Sequence, residues 1–200
     1  GKVLYVGISD TPAWIVSQAN TMAELRGWSR FVGLQIEYNL IERSPERDLL
    51  PMARAFDLGI TPWAPLAGGA LTGKYLDDSD QNGEDKRLTP GSKRLNERSQ
   101  RIARTVVEVA ENLGVTAAQV AINWTRQKGE VMLPIIGARR AEQIQDSLGC
   151  LEFEIPPEHM ARLDEVSAID LGFPHEFLRS DGVREVVFGG MYDKIRNHRR

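Results

Sequence analysis

Four apolar segments punctuate the chain, and stretches with helical spacing follow each of them. Lys2 to Ser9 reads Lys-Val-Leu-Tyr-Val-Gly-Ile-Ser, a nearly continuous run of β-branched and aromatic residues. Such a run predicts a strand buried on both faces, the pattern of parallel sheets. Thr11-Pro12 supplies a cap and a proline for a helix start, and Ile15, Val16, Ala19 and Met22 form an apolar stripe that Gly27 ends. A second strand, about Val32 to Tyr38, alternates Leu34, Ile36 and Tyr38 with Gln35, Glu37 and Asn39. Ser44-Pro45-Glu46 opens a helix carrying Leu49, Leu50, Ala53 and Phe56 as far as Gly59. Ile60 to Leu66 is the third strand.

Between Asp77 and Arg98 the composition turns to Asp, Asn, Gly, Lys and Arg, which predicts a long surface loop with a functional or mobile character. Helical spacing returns from about Gln100, with Ile102, Val106, Val109 and Leu113 on one face and Gly114 as the stop. Thr116-Ala-Ala-Gln119 is a capping box for the next helix, which carries Val120 and Trp124. Val131 to Ile136 is the fourth strand, and Ile144, Leu148 and Leu151 mark the helix after it. Pro156-Pro157 starts a last helix with Met160, Leu163 and Val166. The tail, 171–200, has aromatics without a period, and its basic end (Arg196, His198, Arg199, Arg200) reads as a solvated terminus. Alternating β and α elements with buried-type strands predict a parallel sheet with right-handed crossovers. A doubly wound sheet and part of a (β/α)₈ barrel both satisfy this periodicity.

Composition narrows the function. Two hundred residues suit one domain, 1–200, with a real core. A net charge of −3 gives no general attraction to nucleic acid or anionic membrane. The single cysteine, Cys150, excludes an intrachain disulfide and suits a reducing cytoplasm, where it serves as a small buried apolar side chain. No apolar run reaches membrane-spanning length. The chain opens on Gly-Lys-Val without Met, directly into an apolar run, so a preceding segment is expected.

The candidate chemistry lies at strand ends. In either architecture, ligands collect at the carboxyl ends of parallel strands, here Ser9-Asp10, Asn39-Leu40, Trp63 to Gly69 and Gly137 to Arg140. Ser9-Asp10 is by itself a helix cap or a ligand contact, and Trp63 a core aromatic or a stacking platform. Arg139-Arg140 at a helix start opposes the helix dipole, so the pair is either solvated or an anion site. Pro62 and Pro65 stiffen the third segment, and Gly68, Gly69 and Gly73 permit close backbone approach before Lys74. Gly68 and Gly73-Lys74 match most of a phosphate-binding G-x-x-x-x-G-K-[ST] motif, but Tyr75 stands where the metal-binding hydroxyl belongs. The polar segment after it is not the helix that motif needs, so a P-loop nucleotide hydrolase is set aside.

Taken together, these segments resemble the C-terminal half of an aldo-keto reductase, from the fifth strand onwards. Gly1-Lys-Val-Leu-Tyr-Val-Gly-Ile-Ser-Asp10 is similar to the family's G-K-[VI]-R-x-[IV]-G-[VL]-S-N, with Asp10 in place of Asn. Gln35-Ile-Glu-Tyr-Asn39 resembles Q-x-x-Y-[NS], and Trp63-Ala-Pro-Leu-Ala-Gly-Gly-Ala-Leu-Thr-Gly-Lys74 resembles the seventh-strand loop. Pro134-Ile-Ile-Gly-Ala-Arg139 with Gln143, Asp146 and Ser147 resembles P-I-x-G-[AS]-R-x-x-x-Q-[IL]-x-[ED]-[NS]. The resemblance implies NADP(H) as cofactor. Ser9, Asp10 and Gln35 would hold the nicotinamide carboxamide and Trp63 would stack on the ring. Ala64, Pro65, Leu66, Ala67 and Lys74 would follow the pyrophosphate. Gly137, Ala138 and Arg139 would take the 2′-phosphate, and Gln143, Asp146 and Ser147 the adenosine.

The same resemblance implies a fold, the C-terminal half of a (β/α)₈ TIM barrel (strands 5–8) with an extra C-terminal helix, and an activity, reduction of small-molecule carbonyls. The family's proton-donating tyrosine and its lysine, aspartate and histidine partners lie on earlier strands. Tyr5, Tyr38, Tyr75, Tyr192, His159, His175 and His198 match none of those positions, so no catalytic residue is assigned and the chain alone is expected to be inactive. Four strands cannot close a barrel. A missing N-terminal half-barrel or a second chain is the expected partner, and a half-barrel that binds a dinucleotide or a partner without chemistry is the alternative.

Overall fold

The computed structural model describes residues 1–76, 87–89, 91–129 and 131–196. Its centre is a parallel sheet of order β1 (Val6–Ser9), β2 (Phe31–Glu37), β3 (Gly59–Trp63). The register places Ser9 beside Gln35, Gln35 beside Thr61, and Glu37 beside Trp63. The fourth apolar segment lies along the far edge of β3. Ile60 and Met132 form a parallel bridge, and Leu133 and Ile135 donate their amides to the carbonyls of Ile60 and Pro62 at 2.9 and 2.8 Å. Only the bridge at Met132 has the full strand pattern.

Eight helices follow among the described residues. These are α1 (Ala13–Arg26), α2 (Leu49–Ala55), α3 (Glu97–Leu113), α4 (Ala117–Arg126), α5 (Ala141–Leu148), α6 (Pro157–Val166), α7 (His175–Arg179) and α8 (Asp181–Phe188). The alternation of β2 sets the faces. Leu34, Ile36 and Tyr38 are buried under the helices, while Gln35 is exposed and Glu37 half-buried on the opposite, open face. Val106 and Val109 of α3 and Val120 and Trp124 of α4 complete one core with Leu34 and Ile60. Local signals are satisfied where the sequence placed them. Thr116 and Gln119 form both bonds of the capping box, and Gly114 ends α3 at a φ of 67°.

Five expectations shift. β1 begins at Val6, and Val3, Leu4 and Tyr5 before it are exposed, so the first strand is not buried on both faces. In α1 the buried stripe is Ala13, Val16, Asn20 and Ala23, not Ile15, Ala19 and Met22. Asn20 belongs to the stripe because its side chain donates to and accepts from the backbone of Phe31, which satisfies a polar group inside the packing. Pro12 takes the cap position itself, while the Thr11 hydroxyl turns back to the Ser9 carbonyl. The aperiodic tail contains two short helices, α7 and α8, in which Phe177, Leu178, Val186, Val187 and Phe188 are exposed. The loop expected over 77–98 ends in α3, which Asn96 caps by accepting from the Ser99 amide; residues 77–86 and 90 lie outside the described residues, as do His198, Arg199 and Arg200.

Candidate functional site

The carboxyl ends of β1, β2 and β3 lie side by side, and the 131–136 segment continues the row. Ser9 and Gln35 are register neighbours on the open face. Asp10, one residue beyond, donates its amide to the Gln35 carbonyl at 3.2 Å. Its carboxylate accepts from the Trp63 indole Nε1 at 3.2 Å, across the end of β2. Ser9, Asp10, Gln35 and Trp63 thus converge on one patch, with a flat half-buried indole beside hydroxyl and amide groups.

Backbone strain concentrates at the same rim. Asp10, Ala64 and Ala67 have φ of 46°, 52° and 49°, a left-handed conformation that side chains disfavour by about 1–2 kcal/mol each. Asn39, wholly buried just past β2, holds this geometry. Its Nδ2 donates to the Ala64 carbonyl at 3.0 Å, and its Oδ1 accepts the amides of Ile41 and Glu42. From Ala64 the chain runs through buried Pro65, Leu66 and buried Ala67 into a tight turn at Gly68 and Gly69. The Lys74 side chain folds over that turn: a Cβ on Gly69 would meet its Nζ at 2.9 Å.

A second layer covers the turn from outside. Leu88 rests on Gly68, where a Cβ would come within 2.9 Å of its side chain. Arg94 donates to the Glu37 carboxylate at 2.6 Å, and the Tyr75 hydroxyl accepts the amides of Arg87 and Leu88 at 2.9 Å each. Sequence reasoning missed Arg94, Leu88 and Tyr75 in this arrangement. The available signal was Glu37, a carboxylate on the open strand face that needed a cation from elsewhere.

Gly137, Ala138, Arg139 and Arg140 are exposed at the end of the fourth segment, next to β3. The Gln143 side-chain carbonyl accepts the Arg139 amide at 2.9 Å and so shapes this turn into α5. Asp146 faces α4. Its carboxylate accepts from the Thr116 hydroxyl and from Gln119 Nε2, both at 3.1 Å, and Ser147 beside it is buried. Asp146 therefore braces α5 against the α4 cap.

Behind β2 a buried ionic cluster fixes the strand's exit. Arg43 makes a bidentate pair with Glu46 at 2.8 and 3.0 Å and reaches the Asp164 carbonyl and Ser167 hydroxyl of the α6 end. Burial disfavours the Arg43 charge, but the contacts with Glu46 outweigh that and raise its pKa. The Tyr38 hydroxyl donates to Glu46 at 2.7 Å; burial, then the Glu46 charge, push its pKa well above the ordinary tyrosine value. Arg98 donates to the carbonyls of Ile41 and Ser167, and burial lowers its pKa.

With this geometry in view, the sequence model of the aldo/keto reductase family matches residues 1–168. The chain belongs to the aldo/keto reductase family. It is similar to a probable aryl-alcohol dehydrogenase of Saccharomyces cerevisiae, 34% identical over 183 residues, which cover 90% of this chain and 56% of that protein. It is equally similar to an aryl-alcohol dehydrogenase [NADP(+)] of Phanerodontia chrysosporium, 34% identical over 207 residues, 97% of this chain and 52% of that one. A norsolorinic acid reductase of Emericella nidulans is 33% identical over 178 residues, 89% of this chain and 44% of that one. The chain spans about half the length of the curated relatives it matches. Relatives in this aldo/keto reductase group are oxidoreductases by name, and the fold here, helices over a parallel sheet, agrees with the family. Among the described residues no helix is long and apolar enough to cross a membrane.

Proposed function

We propose that this chain is the cofactor-binding part of an NADP(H)-dependent carbonyl reductase, corresponding to strands 5–8 of a (β/α)₈ barrel. The observation that carries the reading is the convergence of Ser9, Asp10, Gln35 and Trp63 on one open rim, with Lys74 and Arg139 further along it. The donor set fits a dinucleotide: a flat indole for a ring, hydroxyl and amide groups for a carboxamide, a glycine turn for close approach, and exposed cations for phosphates. When bound, the nicotinamide supplies hydride. Ser9 and Gln35 orient its carboxamide, Trp63 excludes water from one ring face, and Lys74 balances pyrophosphate charge beside Gly69. Arg139, with the 137–139 backbone held by Gln143, receives the 2′-phosphate. The strained backbone at Asp10, Ala64 and Ala67 supports this assignment, because strain of this kind gathers at functional sites.

Among the described residues, Tyr38 is buried on Glu46 and the Tyr75 hydroxyl accepts the 87–88 amides, and we assign neither as the proton donor to a carbonyl on the rim. Further strands, from a preceding segment or a second chain, would have to complete the barrel and supply it. The test is to join this chain to the unmatched portion of the Phanerodontia chrysosporium relative and assay NADPH oxidation with a panel of aromatic aldehydes and ketones. Turnover is expected; its absence across the panel, in a folded fusion that binds NADPH, would remove the reductase reading. The engagement of Tyr38 and Tyr75 also favours a second reading, a dinucleotide-binding protein without chemistry, for which NADPH binding without turnover in that fusion is the signature.

A further inference from the structure

Glu37 and Asp10, both on the rim, differ in what neutralises their charge. Glu37 is paired with Arg94 at 2.6 Å. Asp10 makes no ion pair among the described residues, and its carboxylate accepts only from the uncharged Nε1–H of Trp63, at 3.2 Å. A negative charge is thus left at the edge of a flat, half-buried indole. Its position is held from the backbone: Asp10 has a φ of 46°, and its amide sits on the Gln35 carbonyl at 3.2 Å. The bond also acts on the ring. An indole N–H held by a carboxylate is polarised, and the ring face, already negative, becomes a better seat for a cation.

We propose that Asp10 makes the groove discriminate between the two redox states of its nicotinamide, tightening the hold on NADP⁺ several-fold and leaving NADPH almost unaffected. This inference rests on the dinucleotide reading of the rim given above. The two forms differ by one charge in one place. The oxidised ring is a pyridinium cation, the reduced ring is a neutral dihydropyridine, and every phosphate is common to both. A ring stacked on Trp63, with its centre about 4.5–7 Å from that of the indole, lies beside the carboxylate at the indole edge. The attraction between carboxylate and pyridinium weakens with dielectric and salt, so at this exposed position it amounts to about fivefold in affinity.

The motif that the first segment resembles has Asn where this chain has Asp10. That exchange separates two roles. Holding the indole needs only an acceptor, which the Asn carbonyl also offers, whereas selecting the oxidised ring needs the charge. A fivefold preference for NADP⁺ lowers the reduction potential of the bound couple by about 20 mV for two electrons. Asp10 therefore favours the form that remains once hydride has left the ring.

The test is titration calorimetry of the full chain with NADP⁺ and with NADPH, for the unsubstituted protein, Asp10→Asn and Asp10→Ala. The readout is the ratio of the two dissociation constants, from which the phosphates and any general damage to the groove cancel. In Asp10→Asn, NADP⁺ is expected to weaken by about fivefold while NADPH stays within about twofold. In Asp10→Ala both forms weaken, and the ratio is expected to shift by the same amount as in Asp10→Asn, because both variants lack the charge. An unchanged ratio in Asp10→Asn, whether both forms keep their affinity or lose it equally, overturns the proposal and leaves the dinucleotide reading standing. Binding of neither form by the folded, unsubstituted chain removes that reading and this proposal together. Asp10→Asn decides the matter even where Asp10→Ala fails to fold.

Discussion

Trp63 and Asp10 are 53 residues apart in sequence, yet the indole Nε1 of one donates to the carboxylate of the other at 3.2 Å. The bond spans the end of β2 and joins the ends of the strands on either side. It also fixes the edge of the ring on which a nicotinamide is proposed to stack.

Replacing Asp10 therefore acts through Trp63. Asp10→Asn keeps a carbonyl acceptor, and NADPH affinity is expected to stay within about twofold. Asp10→Ala removes it, and affinity should fall by about fivefold, the size of one exposed hydrogen bond of about 1 kcal/mol. Quenching of tryptophan emission during an NADPH titration measures both. Equal affinities for the two variants would mean that the bond does not position the ring.

Asn39 makes a different kind of prediction, because it is buried and its orientation is fixed by four partners, the Glu37 carboxylate among them. Asn39→Asp preserves shape and the two accepted amides but turns a donor into an acceptor facing the Ala64 carbonyl. A loss of about 1–3 kcal/mol in stability follows from leaving that pair unsatisfied. Urea denaturation checks it, and an unchanged midpoint would show that Asn39 does not support the strained Ala64 turn.

Tyr75→Phe removes a single oxygen that accepts two amides. Amide exchange at Arg87 and Leu88 should speed up by at least tenfold while exchange in α3 stays unchanged. Uniform acceleration across the chain would mean a global loss of stability instead.

Tyr38 sets a dependence on pH. Its native pKa is raised above the ordinary 10.0 by burial and then by Glu46, so the folded state holds the phenol proton more tightly than the unfolded chain does. The resulting stability is fully present below pH 10 and declines as pH rises beyond it. Tyr38→Phe should flatten the decline between neutral and alkaline denaturation curves relative to the unsubstituted chain. Parallel declines in both proteins would contradict the assignment.

The parts of this arrangement legible in the sequence are those governed by local rules. Capping at Thr116 and Gln119, the stop at Gly114 and the alternation of Leu34, Ile36 and Tyr38 need only neighbouring residues, and the structure has all three. Ser9 and Trp63 are legible from their place at strand ends and Gln35 from its likeness to the family's Q-x-x-Y-[NS] pattern, and register brings them to one rim. Asn20 escaped detection because a polar residue satisfied by a distant backbone does not look like core. The Glu37–Arg94 pair joins residues on separate elements, and Asp146 turned toward α4 for a cap partner that spacing alone does not reveal. The outer segments Lys2 to Tyr5 and 133–136 read as strands by composition, but a strand needs a neighbour on each side to be buried, and among the described residues nothing pairs with the outer side of either.

The central claim is that groups far apart in the chain form one groove for a dinucleotide carrying a 2′-phosphate. Titration calorimetry of NADPH and NADH against the unsubstituted chain and Arg139→Ala tests it most directly. The expected result is tighter binding of NADPH by the unsubstituted chain, with Arg139→Ala losing about 1.5–3 kcal/mol toward NADPH and little toward NADH. Equal losses for the two nucleotides, or no binding of either by the folded chain, would contradict the account.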